Sequence, residues 1–122
     1  MKIPDNLQYT GHDEWVRTEG NVLVVGISDF AQDQLGELVH VELPAVGKQV
    51  KAGAVVCEVE SVKAVAEIYS PANGKVVAVN TALDDSAEQI NADPYGSWIY
   101  KLEVSAPPSG LMDAAAYKVK VG

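Results

Sequence analysis

From Ala54 to Val79 the chain carries three short β-branched runs separated by turn-forming residues, a pattern that suits tightly turned β-structure. The first run, Ala54-Val55-Val56-Cys57-Glu58-Val59-Glu60, follows Gly53. The second, Val65 to Tyr69, stops at Ser70-Pro71-Ala72-Asn73-Gly74, and Lys75-Val76-Val77-Ala78-Val79 resumes beyond it. Between the first two runs stands Ser61-Val62-Lys63-Ala64, with no Gly, Pro or Asn. Primed hairpin turns need positive φ and favour those residues, so a type I turn is the expected connection. Such a turn projects Lys63 from the tip of a hairpin.

The spacing around Lys63 is roughly symmetric. Val50 lies 13 residues before it and Val76 lies 13 after, while Gly53 lies 10 before and Gly74 lies 11 after. Two similar half-units folded against each other about the lysine would give that spacing. A free lysine titrates near about 10.4 and is a weak nucleophile at neutral pH. Catalytic lysines are activated by burial or by a neighbouring cation. Lys63 instead has Glu60 three residues before it and Glu67 four after, which favour its charged form. A Schiff-base role is therefore disfavoured. The residues leave two readings open: a solvated hairpin lysine, and an exposed attachment point for an acylating enzyme.

The remaining segments read as β-structure with a few short helices. Leu7 to Thr10 suits a short edge strand, and Trp15-Val16-Arg17 a second one behind the polar lead-in His12-Asp13-Glu14. Glu19-Gly20-Asn21 marks a hairpin turn before Val22 to Ile27. Ser28-Asp29 is a helix N-cap signal and Gly36 a stop, which gives a helix of about two turns. Leu38 to Leu43 alternates as a half-buried strand ended by Pro44, and a turn-rich stretch, Ala45 to Gly53, leads to the central hairpin. Ala82 to Ala87 suggests a short helix, Asn91 to Gly96 a turn, Trp98 to Val104 a strand, and Leu111 to Tyr117 a terminal helix after a linker at Ala106 to Gly110. In that helix Leu111, Ala114 or Ala115 and Tyr117 form the apolar side.

The 122 residues suit one domain over 1–122, a size that buries roughly two-thirds of the unfolded surface. A net charge of −8, from 17 acidic and 9 basic residues, argues against nucleic acid or an anionic membrane as partner. It suits docking onto basic surfaces of partner enzymes, or solubility alone. The chain has no apolar run long enough to span a membrane, and Met1-Lys2-Ile3-Pro4-Asp5 carries no signal-peptide pattern. With a single cysteine no intrachain disulfide can form, so cytoplasmic residence is expected. By alternation Cys57 shares a strand face with Val55 and Val59, as a small core residue. The rival, a redox partner for a dithiol carrier, requires an exposed thiol. His12 and His40 do not stand in a metal-ligand spacing, no Ser-His-Asp or Cys-His set is supported, and neither phosphate-loop motif is present.

Glu60-Ser61-Val62-Lys63-Ala64, followed by Ile68-Tyr69-Ser70-Pro71 and Gly74, resembles the lipoyl-lysine segment of the glycine cleavage system H protein family. Matching motifs extend over nearly the whole chain: His12-Asp13-Glu14-Trp15-Val16, Val25-Gly26-Ile27-Ser28-Asp29, Leu35-Gly36-Glu37, Val41-Glu42-Leu43-Pro44, Ile90-Asn91, Asp93-Pro94-Tyr95-Gly96 and Trp98. The resemblance implies a mainly β, lipoyl/biotinyl-like barrel-sandwich hybrid with a few short helices and a C-terminal helix. It implies lipoate in amide linkage on Lys63. It also implies a carrier, catalytic in nothing alone, that takes the aminomethyl group of glycine from a pyridoxal-phosphate decarboxylase to a tetrahydrofolate-dependent aminomethyltransferase. A dihydrolipoyl dehydrogenase reoxidises the dithiol, and a lipoate ligase or transferase loads the lysine. By the same likeness Glu14 and Glu67 hold the amine of the loaded arm, and Ser61 and Val62 frame the turn for the loading enzyme.

Two departures stand out. Phe30 occupies a position where the family usually has His, and is expected to cover apolar surface; Gln89 replaces an apolar residue. An H-like protein that relays lipoate, or serves a regulatory modification system, is the nearest alternative. An unmodified barrel-like interaction module is the alternative from another class. Biotin carriers favour Met on both sides of the lysine, where this chain has Val62 and Ala64. Lipoyl domains of 2-oxoacid dehydrogenases usually show Asp-Lys-Ala and lack the flanking segments from His12 to Gly36 and from Asn80 to Tyr117.

Overall fold

In the computed structural model, which describes residues 1–122, nine strands form two antiparallel sheets. They are β1 (Gln8–Tyr9), β2 (Glu14–Glu19), β3 (Val22–Ile27), β4 (Leu38–Glu42), β5 (Gln49–Val50), β6 (Val55–Ser61), β7 (Val65–Tyr69), β8 (Gly74–Val79) and β9 (Tyr100–Glu103). One sheet runs β1-β2-β3-β9-β8-β5 and the other β4-β6-β7. Three short helices accompany them, α1 (Asp29–Leu35), α2 (Gln89–Ala92) and α3 (Ala114–Val121), with a 3₁₀ turn at Thr81–Asp84. The architecture is mainly β with a C-terminal helix, as the sequence leads one to expect.

Strand periodicity sorts the side chains between two cores. Successive residues point to opposite faces, so Leu23, Val25 and Ile27 of β3 enter the space between the sheets, while Val24 points to the other side. The inter-sheet core also takes Val16, Val76, Tyr100 and Leu102 from the larger sheet, and Val41, Cys57, Val59 and Ile68 from the smaller. On the opposite face of the larger sheet Tyr9, Trp15 and Val24 pack under Ala114 and Tyr117 of α3. The Tyr9 and Tyr117 rings stack with centroids 4.5 Å apart. Trp15 lies across Gly26, its register partner on β3, where a Cβ would come within 2.6 Å of the indole. A side chain at residue 26 would therefore displace the tryptophan.

The two strands that meet at Lys63 nest as the symmetric spacing suggests. Next to the bend Glu60 faces Val65, then Val59 faces Ala66, Glu58 faces Glu67 and Cys57 faces Ile68. Further down, Gly53 donates its N–H to the Ser70 carbonyl at 2.9 Å, and Val50 faces Gly74. There the two arms leave the smaller sheet and join the larger one through β5 and β8. Across the smaller sheet Glu42, Glu58 and Glu67 stand in one row of directly opposed residues. Opposed like charges on neighbouring strands are destabilising, and no lysine or arginine is paired with any of the three.

Several boundaries differ from the sequence reading. A register slip between Val55 and Cys57 turns Val56 inward and leaves Val55 exposed, so Cys57 keeps its buried face and Val55 does not. Asn91 and Ala92 belong to α2 and not to the following turn, because Ile90, buried beneath them, anchors that single helical turn. The last strand starts at Tyr100, not Trp98. The terminal helix begins at Ala114, where Asp113 caps it by accepting the Ala116 N–H at 2.8 Å, and it continues beyond Tyr117 to Val121. Leu111 lies outside it, just before Met112, which pairs with Tyr9. Ser28 and Gly36 bound α1 as expected.

Candidate functional site at the Lys63 bend

The bend is closed by one side chain. Ser61 Oγ accepts the N–H of Ala64 at 3.0 Å and that of Lys63 at 3.2 Å, while the Ser61 N–H donates to the Ala64 carbonyl at 2.8 Å. A type I turn would close through the Ser61 carbonyl; here the hydroxyl takes that place, in the manner of a serine turn. None of the four residues has positive φ. Ser61 is buried and holds the turn from below. Above it Lys63 is exposed, with no ion pair and no hydrogen bond to its amine. Neither Glu60 nor Glu67 forms an ion pair with it; Glu60 faces Val65 and Glu67 faces Glu58 across the strands. Val62 and Val65 beside it are 68% and 59% exposed, which makes the bend an apolar collar around a free amine.

The bend also docks on the connection between α1 and β4. The Val62 N–H donates to the Glu37 carbonyl at 3.1 Å. A Cβ placed on Gly36 would lie 3.6 Å from Lys63 Cε, so the lysine stem rests over a bare glycine. Nothing in the sequence marks Glu37 for this task, because its contribution is a backbone carbonyl. Gly36 carries a signal, but one that reads equally well as a helix stop.

Glu14 and Glu67 sit at different depths and share a neighbour. Glu14 has the same parity on β2 as Val16, which points it between the sheets, and it is 1% exposed. Its Oε1 accepts the Thr10 hydroxyl at 2.6 Å and its Oε2 the Tyr69 N–H at 2.9 Å. Burial raises its carboxyl above the ordinary range, against the lowering effect of those two bonds. Glu67 is exposed and accepts the Tyr69 hydroxyl at 3.3 Å. Tyr69 thus touches both glutamates, and the His12 ring stacks on its ring with centroids 4.0 Å apart. Nothing in the sequence singles out Tyr69 or His12 for this role. Neither glutamate contacts the Lys63 amine.

Other candidates fall away from the bend. Cys57 is buried and its thiol is pushed up to about 12 by desolvation, so a redox role for it is overturned. No group of three or more His, Cys, Asp or Glu side chains converges to hold a metal ion, and no helix is long and apolar enough to cross a membrane. The largest surface groove, lined in part by Lys51, Asn73, Lys75 and Glu103, lies at the foot of the hairpin. Phe30 is half-buried but joins neither core, while Gln89 is exposed, which accommodates its polarity.

The family model described as glycine cleavage H-protein matches residues 7–121. The glycine cleavage system H protein of Symbiobacterium thermophilum is 55% identical over 118 residues, covering 94% of this chain and 92% of that protein. A probable glycine cleavage system H protein of Pyrococcus abyssi is 50% identical over 120 residues, covering 95% and 90%. Among solved structures, the crystal structure of a glycine cleavage system H protein from Mycobacterium marinum superposes with a TM-score of 0.90 at 39% identity, covering 97% of this chain and 98% of that one. The two sheets are therefore the barrel-sandwich arrangement expected from the lipoyl-like resemblance. With its sheets, its bend and nearly its whole length accounted for, the chain belongs to the glycine cleavage H-protein family.

Proposed function

We propose that this chain, acting as a single domain over residues 1–122, is the lipoyl carrier of a glycine cleavage system, with lipoate joined by an amide to Lys63. The observation that carries this reading is an unpaired amine on the crest of a bend whose shape is fixed by Ser61. The residues present fit the group. An acyl-transferring enzyme needs the amine exposed and the turn rigid, and the apolar collar of Val62 and Val65 gives it a surface to grip. Ser61 and Val62 are the recognition elements: one sets the turn, the other fixes it to Glu37.

Acylation removes the charge of Lys63. When bound, lipoate supplies a ring disulfide able to take up an aminomethyl group and electrons, and the protein supplies position. From the bend, β7 runs to Tyr69 over four residue steps, roughly 13 Å of strand. A long flexible arm laid along it would meet Glu67 first and then the Tyr69–His12 stack. Glu67 is free to accept hydrogen bonds from a cargo amine. Glu14 accepts one bond on each carboxyl oxygen and keeps acceptor capacity on both, so burial, and not its present bonds, limits its reach to such an amine.

The partners implied are a pyridoxal-phosphate glycine decarboxylase, a tetrahydrofolate-dependent aminomethyltransferase, a dihydrolipoyl dehydrogenase, and a lipoate ligase or transferase. Tethering makes each transfer local, at high effective concentration. The chain's own side chains carry out no reaction step. Intact mass after incubation with lipoate, ATP and a lipoate ligase tests the proposal. One lipoyl group is expected on the native sequence and none on Lys63→Ala; no mass shift on the native sequence refutes the carrier role.

A further inference from the structure

The peptide that receives the lysine bend is itself held from a distant element. Asn91, in α2, engages the α1–β4 connection with both ends of its side-chain amide. Its Oδ1 accepts the Leu38 N–H at 2.9 Å, and its Nδ2 donates to the Gly36 carbonyl at 2.8 Å and to Gln32 Oε1 at 2.9 Å. These bonds bracket Glu37, whose carbonyl takes the Val62 N–H.

Strand pairing holds this junction only at Leu38, which faces Ser61; Gly36 and Glu37 lie outside β4. The β4–β6 register slips between Leu38 and His40, and Val39 at the slip is exposed. Gly36 has φ 78 and ψ −153, a conformation open to glycine and few others, and nothing in its own side chain limits its swing. One amide that both accepts and donates is suited to fixing a carbonyl and an N–H on either side of a single residue. Aspartate lacks the donors, and glutamine is a methylene longer. Buried Ile90 anchors the turn that carries Asn91.

We propose that Asn91 is a positioning residue for Lys63. By fixing Gly36 and Leu38 it sets the Glu37 carbonyl, and through Val62 it sets the bend offered to the enzyme that attaches lipoate. This rests on Lys63 being the lipoyl site.

The test uses the full, unmodified chain in three forms: native, Asn91→Ala and Gln32→Ala. Amide hydrogen exchange at Val62 is expected to accelerate about tenfold in Asn91→Ala, while the central-strand amides of Leu23 and Leu102 change less than about twofold. Gln32→Ala removes one of the three bonds and gives a smaller acceleration in the same direction, so the proposal stays testable if Asn91→Ala does not fold. With a lipoate ligase, KM for Asn91→Ala as acceptor rises several-fold and kcat stays nearly constant. Unchanged Val62 exchange, acceleration shared equally by Leu23 and Leu102, or an unchanged acceptor KM overturns the proposal. Failure of the native chain itself to accept lipoate overturns the carrier reading, and is told apart because native and variant then fail alike.

Discussion

The Glu14 carboxylate accepts the Tyr69 backbone N–H at 2.9 Å, which joins the second strand of the larger sheet to the end of the lysine-bearing hairpin. A buried acid thus serves as a strut between layers, and its ionisation is coupled to folding.

Burial raises the Glu14 carboxyl above its ordinary 4.5 in the folded chain. The folded state then holds this proton more tightly than the unfolded state does. The contribution of Glu14 to stability is full below the ordinary value and is lost as pH rises through the raised one. In urea titrations between about pH 4 and pH 8, the native chain should lose stability relative to Glu14→Gln as pH rises, then run parallel to it. A difference that stays constant over the whole range would contradict this assignment.

Ser61→Ala removes the acceptor for the Lys63 and Ala64 N–H groups. Two turn donors then have only water, at a cost of about 1 kcal/mol in unfolding free energy. Initial rates of lipoate attachment should fall several-fold, since the amine is no longer held in one place. An unaltered rate in a stably folded variant would show that the loading enzyme does not read the turn.

Cys57 should be inert in the folded protein. Its thiol is buried and pushed up to about 12, so thiolate is scarce at neutral pH. A colorimetric disulfide reagent at about pH 8 should label it only in denaturant. Rapid labelling of the native chain would mean that the hairpin opens.

Much of this arrangement could be read from the residues, and the unread parts have physical causes. The β-runs and their turns follow from side-chain alternation and from the absence of Gly, Pro and Asn at the bend. Ser28 and Gly36 announce α1 because capping is local chemistry. Alternation also gives Glu14 the same face as Val16, yet a carboxylate at such a position reads as solvent-facing until Thr10 and Tyr69 are seen to satisfy it. The helical turn at Gln89–Ala92 has no cap signal, since tertiary packing of Ile90 holds it. The bond from the Val62 N–H to the Glu37 carbonyl leaves no trace in sequence, because every residue has a carbonyl. At Val55 and Val56 a register slip reverses two apolar neighbours that composition cannot tell apart.

The opposed glutamates Glu42, Glu58 and Glu67 have a consequence for company. Two copies laid face to face on that sheet would set one acidic row upon another, a repulsion that strengthens as salt is withdrawn. The layer that carries the lysine thereby resists stacking on a second copy through that face.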